Sequence, residues 1–515
     1  MTIDPVMVIL TFTLATPLLF LLMPAPRAVL LIFFLGWMFL PNISDAEAFN
    51  LPLLPKVRKT TAPGYAVAIG MVLFDLGRVL AFRFKAIDWL ALTFVFIPVI
   101  SCFMNFEYFG YSPLRAVHGS LSLVLPNVLT WGVPYFAGRL YFSDGPGMLR
   151  LVKAFVTAAM VYAPFCLIEA RMTPQFHRWV YGYHATDFAM AMRLGGFRPR
   201  VFMWHGLMTG LFMCSAAVAA TWLWVSGSVK KMWVFPMWMV APGMIGMGIV
   251  TKSTGAIGLM LAFLAAMAVI YVTKLKWILV VMAMAAPLYI TVRVLGWQGF
   301  ELLNLAHKFD DERAMSLGGR MMNENAFIQR GLERPLFGWA GWDRWHGRID
   351  GSLSAQAERY ADRITVPDGW WVIAFGTTGF VGLGSLILYL TMPAILLVKR
   401  VPLKYWFGPA GAAAAIAFVC AMLMTDSIFN RMEAQPYHMM VGAAVGTLAT
   451  FRVGAGAARP MRRRAGPQSS GPATDALPEA ESAPDAPPEP PPDVPPDAPP
   501  HGPPIAPRGP ALGSA

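Results

Sequence analysis

Arg320-Met-Met-Asn-Glu324-Asn-Ala-Phe-Ile-Gln-Arg330-Gly-Leu-Glu-Arg334-Pro-Leu-Phe-Gly338-Trp-Ala-Gly341-Trp342 lies inside a polar stretch, residues 296–368, whose reading decides the fold. The stretch also carries Lys308, Asp310, Asp311, Glu312, Arg313, Asp343, Arg344, His346, Arg348 and Asp350. Such a run cannot lie lipid-exposed in hydrocarbon, because nothing there would satisfy its backbone and charges. Almost everything on either side is apolar enough to sit in lipid. The stretch therefore reads as a water-facing loop held between membrane helices. Phe300, Phe309, Phe327, Phe337, Trp339, Trp345 and Tyr360 supply the large apolar side chains that a folded segment needs. Loops of this length inside a compact protein tend to be functional, so chemistry is expected here and at the helix ends beneath.

Working outward, the 515 residues are 56% hydrophobic and only 14% charged, against roughly 25% charged in soluble domains. Apolar runs fall near 6–23, 28–41, 65–82, 89–104, 121–142, 150–170, 202–226, 233–251, 255–273, 277–295, 370–398, 408–428 and 437–451. Their lengths predict an all-α polytopic membrane protein with about 12–13 transmembrane helices and one large extracytoplasmic loop. The blocks are N-terminal spans (1–64), a transmembrane core (65–295), the loop (296–368), C-terminal spans (369–452) and a tail (453–515). The net charge of +12 then gives no case for nucleic acid, since Lys and Arg mark cytoplasmic loops in such a chain. Cys102, Cys166, Cys214 and Cys420 all fall in apolar runs, which argues against a disulfide framework or a metal site. The N-terminus lacks a basic leader region and a small-residue cleavage site, so the first run reads as a retained span.

Lys230-Lys231, Lys274 with Lys276, Lys399-Arg400 with Lys404, and Arg462 to Arg464 fall on one side if the runs alternate. That side is cytoplasmic by the positive-inside rule, and the 296–368 loop lies outside, with the shorter polar loop 171–200. Lys56, Arg58 and Lys59 then fall outside, against the rule. One of the first three runs reads as re-entrant or partly inserted, so a twelve-span chain stands beside a thirteen-span one. The Pro- and Ala-rich tail has almost no large apolar residues and reads as disordered and cytoplasmic. Its basic start, residues 459–464, suits anionic lipid headgroups.

Four places could carry chemistry. Arg139 lies at or near the inner half of a span, where an unpaired charge is costly; it either snorkels or serves a site. Arg193, Arg198 and Arg200 cluster on the outer face, where guanidinium forks would bind phosphate oxygens, with His205 one turn on. Thr251-Lys252-Ser253-Thr254-Gly255 parts two apolar runs; it is either a tight hairpin or a helix N-terminus open to an anion. Finally, the segment 320–330 reads as an amphipathic helix with Met321, Ala326 and Phe327 on its apolar side, stopped by Pro335.

An Arg opening a helix, followed about a dozen residues later by Pro335-Leu-Phe-Gly-Trp-Ala-Gly341, resembles the large periplasmic loop of the O-antigen ligase/polymerase superfamily. The return through Pro367-Asp368-Gly369-Trp370-Trp371 into Phe375-Gly-Thr-Thr-Gly-Phe-Val-Gly-Leu-Gly384 is similar to that family's return into a Gly-x-x-Gly helix. Thr251-Lys-Ser-Thr-Gly255 resembles its Thr-x-Ser-Arg-Gly stretch, with Ser253 kept and Thr254 where Arg is common. The resemblance covers roughly residues 65–450. It implies a GT-C-type glycosyltransferase of the bacterial inner membrane, working without metal or other cofactor. The donor would be a glycan on a polyprenyl diphosphate such as undecaprenyl diphosphate, the acceptor a glycan or lipid-linked glycan. Membrane lipids and other polysaccharide assembly proteins would be its partners.

On this reading Arg320 meets the diphosphate or the developing charge, helped by Arg193, Arg198, Arg200, Arg139, Lys252 and Ser253. Ligases of the superfamily carry His at the loop's return; this chain has Asp368, a carboxylate able to accept a proton or orient a hydroxyl. His346 and Glu324 are candidates to assist the acceptor. The missing His favours a polymerase of O-antigen, capsule or exopolysaccharide repeat units over an O-antigen ligase or O-oligosaccharyltransferase. A transporter or flippase of lipid-linked glycan is the contrasting class. It should show internal repeats with charged pairs near the midplane, and no such repeat is visible. Asp310-Asp311-Glu312 is the one acidic run that leaves a metal open.

Overall fold

A computed structural model describes residues 2–50, 54–185, 191–193, 195–308, 311–341, 345, 367–432 and 434–449, less the side chains of Glu312, Arg313 and Ser316. The tail expectations, including the basic start at 459–464, and His346 lie outside them. The described chain is helical apart from two two-stranded hairpins. Six helices are long and apolar enough to cross a membrane: Pro5–Leu22, Ala86–Met104, Gly145–Met172, Gly206–Val225, Thr254–Thr273 and Trp370–Arg400. Five shorter apolar helices, Ala25–Phe39, Ala62–Phe74, Met237–Val250, Ile278–Val294 and Gly411–Asp426, pack among them. This is a membrane protein of all-α type.

Local signals set where helices begin. Asp4, Ser112 and Asp144 each accept hydrogen bonds from first-turn N–H groups, and each stands just ahead of a proline that the first turn tolerates. Gly206–Val225 and Gly411–Asp426 are buried nearly all round, as helices at the centre of a bundle must be.

The Trp370–Arg400 helix is broken at Gly379 (φ 65°, ψ −165°), a backbone region open almost only to glycine. The 334–341 turn fills the break. Phe380 N–H donates to Pro335 O at 2.7 Å and Val381 N–H to Leu336 O at 3.2 Å. Trp339 N–H donates to Gly376 O at 2.9 Å and Ala340 N–H to Thr377 O at 3.0 Å. Two lost helical bonds, 376 to 380 and 377 to 381, thus become four bonds to the turn, which pairs each of the four groups they free. The fit is close: a Cβ on Gly338 would lie 2.5 Å from Thr377 C, and one on Gly379 2.3 Å from Leu336 O. The far side of the turn is held by Ser101, whose hydroxyl donates to Phe337 O, and by Asn105, whose amide donates to Gly338 O at 2.9 Å. Arg334 pairs with Glu107. The two glycine-bearing motifs quoted from the sequence are therefore one structural joint.

Gly379→Ala is expected to cost about 1–3 kcal/mol from backbone conformation alone, with more from the clash. Thermal unfolding in detergent reads this directly. Gly384→Ala on the same helix, where a Cβ meets nothing within 4 Å, should leave the midpoint unchanged.

The helix expected at 320–330 runs longer, Asp311–Leu332. Arg320 lies in its middle instead of opening it, because Ala314, Met315 and Leu317 extend the helix upstream despite Gly318-Gly319. Met321, Met322, Ala326, Phe327 and Ile328 are buried as that pattern requires.

Contacts between elements fix which ends lie together. Lys59 Nζ donates to Phe202 O at 2.6 Å and Leu40 O at 2.8 Å, Asn42 donates to Phe202 O at 2.7 Å, and Gln435 to Thr60 O at 2.7 Å. Ile3 N–H donates to Val180 O at 3.0 Å. Residues 2–4, the 41–61 segment and the 198–205 segment thus share one end. The cations that broke the charge rule are occupied there: Lys59 by two carbonyls, Arg58 by Asp45 and Lys56 by Asp45 O at 2.7 Å. They serve the local fold.

Candidate functional site

Two helix starts meet at this end. His205 caps Gly206–Val225, its Nδ1 accepting from Leu207 N–H at 3.0 Å. Ser253 is the N-cap residue of Thr254–Thr273 and is buried. The starts are packed tightly, since a Cβ on Gly210 would lie 2.4 Å from Ser253 Cβ. Each helix directs the positive end of its dipole and unpaired N–H groups the same way.

The arginines enter through a short hairpin, Met192–Arg193 paired with Gly196–Phe197. Lys252 Nζ lies against it; a Cβ on Gly196 would fall 1.9 Å from that nitrogen. The next turn holds Val201 at φ 57°, which a β-branched residue reaches only under constraint. Glu169 supplies that constraint, its Oε2 accepting from Arg200 N–H at 2.8 Å and Val201 N–H at 2.7 Å. The Tyr162 hydroxyl adds two bonds of 3.0 Å, donating to Arg200 O and accepting from Phe202 N–H. Lys252 is likewise left-handed, at φ 51°.

Arg198 is the most telling side chain. It is 7% exposed, and its stem crosses Gly206, where a Cβ would lie 2.2 Å from Arg198 Cδ. Its terminal nitrogen reaches Lys252 O only at 3.5 Å, and its Nε has no partner. Among the described residues no carboxylate pairs with it. Burial, then Arg193 and Arg320, push its guanidinium down to about 10, so it stays charged at neutral pH. Burial and the four arginines 198, 200, 320 and 193 push His205 down to about 4, which keeps its ring neutral and free to cap. Arg193, Arg198, Arg200 and Arg320 thus all lie within electrostatic range of His205, and Arg193 and Arg320 within range of Arg198, although Arg320 comes from a distant part of the chain.

Arg320 Nε meets Asp368 Oδ2 at 3.2 Å. The structure therefore brings the two residues named for catalysis together. Partial burial raises Asp368, opposed by Arg320. A second acid borders the cluster. Asp426, at the end of Gly411–Asp426, is 4% exposed and within electrostatic range of Arg320. Sequence reasoning missed Asp426 and Glu169, although each is a lone acid in an apolar run, which was the available signal.

Other nominated residues lie apart. Arg139 forms a buried fork with Asp88 (Nε–Oδ1 2.7 Å, a terminal nitrogen to Oδ2 3.0 Å), with the Tyr135 hydroxyl donating to Oδ1 at 2.6 Å. Its helix ends at Tyr141, whose hydroxyl meets Asp75 at 2.9 Å, away from the 198–205 end. Glu324 is buried under Tyr289 (2.7 Å) and Arg293 (3.1 Å). Arg293 also donates to Trp297 O and Met321 O. This group pins the Asp311–Leu332 helix to Ile278–Val294. Asp311 pairs with His307 at 2.8 Å, while Asp310 and the Glu312 side chain lie outside the described residues. Among the described residues, no three His, Cys, Asp or Glu side chains converge as metal ligands. In comparison with known proteins, no family model matches this chain and no curated protein matches it.

Proposed function

We propose that this protein is a membrane glycosyltransferase that polymerises polyprenyl-diphosphate-linked repeat units of O-antigen, capsule or exopolysaccharide. The observation that carries the reading is Arg198: a buried cation with an unpartnered Nε and no paired carboxylate among the described residues, two further arginines in range and two helix starts beside it. Leaving such a group unpaired costs several kcal/mol, on the order expected for any buried charge. A polyanion that approaches from this end would satisfy it. A diphosphate has the required charge and planar oxygen faces for guanidinium forks.

In this scheme the chain lies in a bacterial inner membrane with about 12–13 helical passes, the 296–368 loop on the periplasmic side and the 453–515 tail on the cytoplasmic side. An acceptor hydroxyl attacks the anomeric carbon of the donor, and the carrier diphosphate leaves with the bonding electrons. Arg198, Arg193 and Lys252 hold the diphosphate. Arg320 meets the charge that grows on the departing oxygen, and fixed cations of this kind act most strongly where water is excluded. Asp368 holds Arg320 in place.

The test is a deletion strain read by glycan size. Single repeat units, with the ladder lost, would mean polymerase. Full-length chains stranded on the carrier would mean ligase. An unchanged profile would sink glycosyl transfer and favour a transporter of lipid-linked glycan.

A further inference from the structure

Asp426 and Asn430 form a pair that the packing leaves incomplete. Asn430 Nδ2 donates to Asp426 Oδ1 at 2.9 Å. Asp426 Oδ2 and Asn430 Oδ1 are both buried with no hydrogen-bond partner among the described residues. Both oxygens are acceptors, and two buried acceptors beside one another lack a donor. Their position is fixed by the segment that follows Asp368. Trp370 N–H donates to Asn430 O at 3.3 Å, Trp371 N–H to Ser427 O at 3.4 Å, and Trp371 Nε1 to Ile428 O at 3.2 Å. Gly369 closes on the same segment, since a Cβ there would fall 2.5 Å from Ile428 O. Asp368 forms the ion pair with Arg320, and Asp426, on the segment packed against residues 369–371, lies within electrostatic range of the same guanidinium. Asp368 is half exposed and committed to the Arg320 ion pair. Asp426 is enclosed and has an oxygen to spare.

We infer that the Asp426–Asn430 pair is the acceptor-hydroxyl site, with Asp426 as the proton acceptor in glycosyl transfer. The inference rests on the glycosyl-transfer reading above. The sugar hydroxyl donates to Asp426 Oδ2, and Asn430 keeps Oδ1 occupied so that Oδ2 faces the hydroxyl. As the hydroxyl oxygen bonds to the anomeric carbon, its proton passes to Asp426 Oδ2. The bond from that carbon to the diphosphate breaks, and its electrons leave on the diphosphate oxygen. Asp426 then returns the proton to water as the product departs. The groups facing Asp426 are Arg320 from the Asp311–Leu332 helix, Cys214 from Gly206–Val225 and Tyr437 from Gln435–Leu448. Arg320 is the only charged one among these.

The test uses the full chain in proteoliposomes, with lipid-linked glycan extracted from the deletion strain as substrate. Undecaprenyl diphosphate is the binding probe, read as a thermal shift. Asp426→Asn should lower turnover by about 100-fold or more, keep the wild-type thermal shift, and lose the fall in rate on the acid side of the pH profile. Asp426→Glu should recover part of the rate with that acid limb displaced. Turnover of Asp426→Asn near the wild-type rate would overturn the inference alone. So would a slow Asp426→Asn or Asp426→Glu enzyme that keeps the wild-type pH profile, because that marks a structural role. A wild-type protein inert towards the glycan would overturn glycosyl transfer and this inference together.

Discussion

Arg320→Ala is expected to abolish visible glycan extension while the protein still accumulates in the membrane. The side chain is about one-third exposed and forms one ion pair, to Asp368, so little folding energy depends on it. Its expected work is electrostatic. Removing one preorganised donor from a developing charge lowers turnover by about 10²–10³-fold, enough to erase a polymer ladder. Arg320→Lys should restore only part of the rate, because an ammonium cannot present a planar fork to a diphosphate and an acid together. Asp368→Asn should cost less than Arg320→Ala, since it loosens the guanidinium without removing it. The check is ladder length on a gel at matched protein level. Wild-type ladders from Arg320→Ala would sink the assignment.

The second large effect separates stability from chemistry. Asp88→Ala should destabilise the protein by about 3–5 kcal/mol, because it strands a buried guanidinium with no counter-charge. The Asp88→Ala/Arg139→Met double variant should recover most of that loss, since an apolar pair of similar volume is often as stable as a buried ion pair. Unfolding midpoints in detergent measure both. The double variant should also make full-length polymer, because Arg139 is closed off by Asp88 and Tyr135 at a distance from the arginine cluster. A stable double variant with no polymer would return Arg139 to the diphosphate-binding role that the sequence suggested.

The remaining difference between sequence and structure has one physical source. A single charge in an apolar run is visible in sequence, but its partner is not. Arg139 and Arg198 look alike as letters, each a cation at a helix border. Only packing gives Arg139 a carboxylate, 51 residues upstream, and leaves Arg198 with none among the described residues. Glu324 reads from the sequence as a candidate to assist the acceptor; the helix instead turns it into the bundle against Arg293 and Tyr289.

The sequence by itself determined the membrane class and the helical architecture, because hydropathy is summed locally along the chain. It also supplied both halves of the Gly379 joint, the Pro335–Gly341 turn and the Gly-x-x-Gly helix. Tertiary structure alone decided that those halves fit one another, that Arg320 comes within range of Arg198, and that Asp426 comes within range of Arg320 with an oxygen unpaired among the described residues. Each of these depends on contacts between residues far apart in the chain. Their register is set by where helices stop and break, and local propensity places those points only to within a few residues.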